Sequence, residues 1–296
     1  MISASESTTE GTGVSLRSAA GRLITVSEER STDTFHRIDF PASLGTNHPA
    51  IPGELISLRG HPAYAELGLD ARWRLGLLET VNFFSLNIHG EQALVQELGE
   101  RLYRKRWEGE TDEVSRYLQH FIHEENSHTY MLAEFCSRYY GRVMPEIIFE
   151  FERPELSRLG TDLLFYGRTH VLENFLDYAN RVAMRDPELE PTVRAIHRSH
   201  HLEESRHIAF GRVMLVTLLR EMKAKKLDVE IGMVSGLLRQ YADFAFSRLV
   251  NPRVYREIGL SQPLKLVEEV RSTPHWIALT QRWTHHTWRF AAKFGL

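Results

Sequence analysis

Two segments of this chain carry one pattern: Glu124-Glu125-Asn126-Ser127-His128 and Glu203-Glu204-Ser205-Arg206-His207, both E-E-x-x-H. Each lies inside a long stretch of helical periodicity. Residues three apart sit on neighbouring turns of one helix face, so a Glu carboxylate and a His imidazole converge on one point. Charges in a core are costly unless they are paired or bind a metal. A chain that buries both motifs is therefore constrained to bring two helices together around a shared cation site. The three-residue spacing favours Glu125 and Glu204 as the converging carboxylates, although Glu124 and Glu203 compete, since residues four apart also face each other.

The rest of the chain supplies the other walls. Residues 71–105 keep apolar side chains at three- and four-residue spacing without a proline, which predicts a long core helix in which Gly90 is a tolerated weak point. A second helix is expected from Thr111-Asp112, an N-cap pair, to Gly141, with Pro145 beyond it. A third runs over about 158–184, and a fourth from an Asp186-Pro187 start to about Lys225. Helical patterns at 230–248 and 275–292 are expected to pack outside these four. Strand alternation and hairpin turns are absent from the sequence, so the expected class is all-α. Residues 1–35, beginning MISASESTTEGTGVS, contain too few large apolar residues for a core and read as a disordered leader. Pro41, Pro49, Pro52 and Pro62 mark an extended approach segment, so residues 36–296 are expected to form one domain around core helices at about 71–225.

A Glu-x-x-His from each of two helices plus one Glu from each of two others is a known di-iron or di-manganese arrangement in bundle cores. Glu91 lies mid-helix among Phe84, Ile88 and Leu94, and Glu173 lies between Leu172 and Phe175. Both are positions where a charge is costly unless bound or paired. His200 precedes Glu204 by four and His207 by seven, on the same stripe. The candidate metal ligands are thus Glu91, Glu125, His128, Glu173, His200, Glu204 and His207. Singly, each has a plainer reading: one E-x-x-H is common by chance, and a buried Glu is more often paired with Arg or Lys. His123, His170, His197 and His201 read as ordinary core histidines. Phe84, Asn87, Phe121 and Gly211 are candidate pocket residues by their spacing from the ligands, with ordinary packing the competing account. The stretch HWIALTQRWTHHTWRF near the C-terminus is best read as an amphipathic packing helix, and its His285 and His286 fall outside the ligand set.

Bulk properties narrow the chemistry. With 36 basic against 39 acidic residues, nothing in the charge balance calls for nucleic acid or an anionic membrane surface. The single cysteine excludes an intramolecular disulfide or a cysteine metal site, so any metal is held by nitrogen and oxygen. No apolar run approaches the roughly 20 residues a spanning helix needs, and a cytoplasmic location is expected.

The combination Glu91, Glu125-x-x-His128, Glu173 and His200-x-x-x-Glu204-x-x-His207 resembles the non-haem di-iron N-oxygenases typified by the p-aminobenzoate N-oxygenase of aureothin biosynthesis. The resemblance spans about residues 70–225. The additional histidine, here His200, separates that family from ordinary ferritins and from reductase-type radical subunits. The resemblance implies a ferritin-like four-helix bundle with extra N- and C-terminal helices, and two irons, one held by more nitrogen than the other. It also implies dioxygen as co-substrate, an external electron donor, and oxidation of a small-molecule amine to a hydroxylamine, nitroso or nitro product. A homodimer and a place in specialised metabolism such as antibiotic biosynthesis follow from the same likeness. Ligands alone leave open a di-iron hydroxylase or desaturase acting at carbon, manganese in one position, and an iron-storage protein, against which the length of the chain argues.

Overall fold

The computed structural model describes residues 15–30, 33–107, 112–146 and 154–296, and every regular element among them is helical. In chain order these are α1 (Leu16–Glu29), α2 (Pro62–Glu66), α3 (Leu69–Trp107), α4 (Glu113–Tyr139), α5 (Arg158–Ala183), α6 (Pro191–Ala224), α7 (Asp228–Leu249), α8 (Pro252–Glu257), α9 (Pro263–Arg271) and α10 (Pro274–Ala291). Helix α3 packs on α4 and α5 on α6, giving the four-helix core, while α7 and α10 lie against α5.

Local chemistry explains most boundaries. Asp112 caps α4 by accepting from Ser115 N–H at 3.0 Å. The helix ends at Gly141, whose φ of +95° suits a residue without a Cβ and whose N–H closes on Cys136 O at 3.0 Å. Helix α6 begins later than the Asp186-Pro187 signal implies. The same acid-proline pair recurs at Glu190-Pro191, where the Glu190 carboxylate accepts from Val193 N–H at 2.9 Å and its own N–H donates to Pro49 O at 2.9 Å. The second pair prevails because its cap is also anchored to the approach segment; Asp186 instead closes a turn with Glu188 N–H at 3.0 Å.

The expected disordered leader is corrected in part. Residues 1–14 and 31–32 lie outside the described residues, but Leu16–Glu29 is a helix capped by Ser15, with Ala19, Ala20 and Ile24 buried against α4 and α6. Small side chains let this helix approach closely without the large apolar periodicity that would reveal it in sequence. The C-terminal stretch packs as expected: Trp276, Leu279 and Trp283 are buried on one face of α10. Trp283 stacks on Phe175 at 5.1 Å and donates Nε1–H to Phe175 O at 2.8 Å.

The core is divided along its length. One apolar cluster includes Leu78, Phe84 and Ile88 of α3, Phe135 of α4, Phe175 of α5 and Ile196 of α6. The other includes Leu94 and Leu98 of α3, Phe121 of α4, Phe165 of α5 and Phe210 of α6. Between them lies a buried polar level.

Candidate metal centre

That level holds Glu91, Glu125, His128, Glu173, His200, Glu204 and His207, none more than 1% exposed. Their donor atoms form two groups, each with its atoms within 4.8 Å of one another: Glu91, His128, His200 and Glu204, and Glu125, Glu173, Glu204 and His207. Glu204 belongs to both. Its Oε1 is 2.6 Å from His200 Nε2 and 3.4 Å from His128 Nδ1, while Oε2 is 3.4 Å from His207 Nδ1. Glu125 straddles the same gap, 2.7 Å from His207 Nδ1 through one oxygen and 3.8 Å from His128 Nδ1 through the other. Glu91 Oε1 faces His200 Nε2 at 3.2 Å.

All seven sequence candidates thus meet at one level, and their inner atoms share a property. Glu91 Oε1, both oxygens of Glu125, Glu173 and Glu204, Nδ1 of His128 and His207, and Nε2 of His200 are buried without a hydrogen bond among the described residues. The short approaches between them lack hydrogen-bond geometry. Unsatisfied buried oxygen and nitrogen cost about 1–3 kcal/mol each, more when charged, so this concentration is tolerable where a cation accepts their lone pairs. Four carboxylates neutralise two divalent ions, and a mixed carboxylate-imidazole donor set suits iron or manganese. The residues fit a pair of such metals. The group containing His128 and His200 has two imidazoles, the other one.

The outer nitrogens are tied down reciprocally. His128 Nε2–H donates to Glu203 at 2.8 Å, and His207 Nε2–H donates to Glu124 at 2.8 Å. Each motif's first glutamate therefore orients the other motif's histidine. Arg206 donates to Glu124 at 2.7 Å and Arg37 to Glu203 at 2.5 Å, neutralising both outer carboxylates. These two glutamates are not in either inner group, and sequence spacing misses their role because each acts across the interface rather than along its own helix. The signal available was the doubled glutamate itself.

Proton energetics in the metal-free cluster follow from crowding. Burial disfavours charge on His128, but Glu125 and Glu203 more than offset it, so the imidazole is held well above its usual range. His207 is raised likewise, burial being outweighed by Glu125 and Glu124. Burial and the neighbouring Glu125 push Glu204 up to about 7. A metal must displace these protons, so loading releases them and weakens as pH falls.

Other predicted residues are placed as follows. Phe121 stacks on His207 with ring centres 3.9 Å apart, and Phe84 packs edge-on to Phe135 at 5.0 Å. Asn87 donates to Phe83 O at 2.6 Å and leaves Oδ1 buried without a partner among the described residues. Around Gly211 nothing lies within 4 Å of where a Cβ would stand. His197 bonds Asn180 Oδ1 at 2.7 Å and His201 bonds Asp177 at 2.5 Å, as core histidines with partners do. His170 approaches Asn174, whereas His123 is exposed.

An all-helical bundle with a buried two-lobed carboxylate-histidine cluster is the architecture of a di-metal protein, and the family match below makes that class a di-metal oxygenase. A solved structure described as a mutant R2-like ligand-binding oxidase with aerobically reconstituted Mn/Fe cofactor shares the fold, with a TM-score of 0.54 at 12% identity over 90% of this chain and 92% of that one. The chain belongs to the p-aminobenzoate N-oxygenase AurF family, which it matches over residues 15–295. Comparison with curated protein sequences gives no match. No helix among the described residues is long and apolar enough to cross a membrane.

Proposed function

We propose that this protein is a di-iron N-oxygenase that uses dioxygen and external electrons to oxidise the nitrogen of a small-molecule amine. The observation that carries the reading is the inward-facing set of unpartnered donor atoms on all seven candidate ligands, with His200 giving one position an extra nitrogen. Two irons held there would supply reductive activation of dioxygen. The protein's part is positioning. Glu91, His128 and His200 would hold one ion and Glu125, Glu173 and His207 the other, with Glu204 available to both because it belongs to each donor group. Glu203 and Glu124 fix both motif histidines with Nδ1 inward. The apolar clusters above and below exclude bulk water. The family name supports nitrogen as the atom oxidised.

A narrow cavity of about 30 Å³ lies toward the approach-segment end of the bundle, lined by Phe83, His197, Trp276, Trp283 and Glu79 among others and by none of the seven candidate ligands. It has room for about two waters. Its lining includes no Arg or Lys. Burial keeps His197 neutral, pushed down to about 3. Location in the cytoplasm and a homodimeric state belong to the same reading.

The test is metal analysis together with stopped-flow spectra of anaerobically reduced protein mixed with oxygenated buffer, without and with an arylamine. About two irons per chain and an oxygen-dependent optical band that decays faster with the amine are expected. A band indifferent to amines points to carbon oxidation or storage, and failure to bind iron on reconstitution overturns the metal assignment. His200→Ala is expected to keep the bundle and alter that band; an unchanged spectrum and turnover would make His200 a bystander.

A further inference from the structure

On the outer side of the α5–α6 wall, away from the cluster, α10 closes over a recess of about 400 Å³. Three helical stripes meet there at the same spacing: Asn174, Asp177 and Arg181 of α5, Ser205, Ile208 and Arg212 of α6, and His286, Arg289 and Lys293 at the C-terminal end. Four cations, Arg181, Arg212, Arg289 and Lys293, line one space with a single carboxylate, Asp177. That carboxylate is already engaged, by Arg181 Nε at 3.1 Å and His201 Nδ1 at 2.5 Å. His286 accepts a hydrogen bond from Arg181 at 2.5 Å and is pushed down to about 4 by burial and by Arg181, so it adds no charge.

Arg212 is the key group. It is half-buried with its guanidinium 5.3 Å over the Phe290 ring, and among the described residues its side-chain hydrogen-bond contact is a long one, 3.4 Å to Asn174 Oδ1. Its Nε is buried without a hydrogen-bond partner among the described residues. Burial and the repulsion of Arg289 and Arg181 act against its charge, with Asp177 only partly compensating. Gathering four like charges around one concavity is unfavourable unless a multivalent anion offsets it, and guanidinium forks are suited to phosphate oxygens.

We propose that this recess binds an anion of about three negative charges, the charge left by four cations against Asp177, and that its natural chemistry is a diphosphate group, free or carried on a larger molecule. Arg212 and Arg289 grip the oxygens, and Phe290 holds the Arg212 plane in place. A recess of this size is in the range of small-ligand pockets. Its concavity and half-buried arginine favour a small anion over the flat acidic face of a partner protein. Ser205 directly follows Glu204 and Asn174 directly follows Glu173, so a ligand here presses on the back of the helices that present the cluster.

Isothermal titration calorimetry of the metal-loaded protein at low salt, with inorganic pyrophosphate in one arm and ADP in the other, tests the assignment. Saturable one-to-one binding is expected, weakened about tenfold or more by Arg212→Gln and several-fold by Arg289→Gln, as loss of a charge-assisted fork implies. The exposed Lys293→Gln, which cannot unfold the chain, is expected to weaken it less. ADP tighter than pyrophosphate would mark a carried diphosphate, and equal affinity a free one. Absence of saturable heat up to millimolar ligand overturns the proposal. So does binding that is unchanged in all three variants, because pyrophosphate chelation at the metal centre would survive them.

Discussion

Helix α3 buries two glutamates, Glu79 and Glu91, and surrounds them in opposite ways. Glu79 is given donors: Ser57 N–H approaches its two oxygens at 3.2 and 3.3 Å, Ser57 Oγ also donates to it, and Tyr255 closes the group at 2.7 Å from Ser57 Oγ. Burial pushes this carboxyl up to about 7, the Ser57 bonds acting against the shift. Glu91, further along the helix, keeps Oε1 unpartnered and aimed at His200, with only a 3.4 Å contact from Thr129 on the other oxygen. Burial alone does not mark a metal ligand. What separates the two sites is whether the surrounding protein has already supplied hydrogen-bond donors.

The contrast can be broken hardest at the shared carboxylate. Glu204→Ala or His207→Ala is expected to abolish at least one bound metal per chain while circular dichroism stays helical, whereas Glu79→Gln leaves metal content intact. Full occupancy in either alanine variant would strike that residue from the ligand set.

Next in size is the effect on stability at Glu79. Its folded value of about 7 lies above the unfolded 4.5, so its contribution is fully present below pH 4.5 and is lost as pH rises through about 7. The loss amounts to about 3 kcal/mol. Denaturant titrations at pH 5 and pH 8 should show the parent losing roughly that much relative to Glu79→Gln. Parallel curves for the two proteins would show that Glu79 is not held protonated by its burial.

Smaller again are the outer carboxylates. Glu203→Gln and Glu124→Gln keep the shape but weaken the hold on His128 and His207, and metal affinity measured by chelator competition is expected to fall about 10–100-fold. An unchanged affinity would reduce the reciprocal pairs to simple packing. The least effect is expected at Gly90, where a Cβ would sit 3.0 Å from Leu172 Cδ2. The helix-forming gain of Gly90→Ala and the displacement of Leu172 oppose each other, so thermal denaturation should move by no more than about 1 kcal/mol. A larger loss would show that the approach of α3 to α5 beside Glu91 and Glu173 tolerates no adjustment.

The inner cluster was legible because its information is local: E-x-x-H spacing puts two donors on one face, and His200 extends that stripe along the same helix. Glu91 and Glu173 were readable as charges in apolar surroundings. What escaped was information held between helices. Glu124 and Glu203 serve histidines on the opposite helix, and Arg37 reaches Glu203 from the approach segment. The recess built from Arg181, Arg212 and Arg289 assembles from three separate helices, with no local signature in any. Helix α1 escaped for a different reason, since Ala19 and Ala20 pack well while contributing little hydrophobic pattern.

The crossed pairs His128–Glu203 and His207–Glu124 also bear on assembly order. Sliding α4 against α6 by one turn, about 5.4 Å, would separate both pairs and strand Arg206 from Glu124 at the same moment. The two helices therefore carry a register check that needs no metal. The bundle can settle into the correct alignment first and receive its ions afterwards, so chelation should empty the centre without scrambling the helices, and re-addition of metal should refill a cradle already in place.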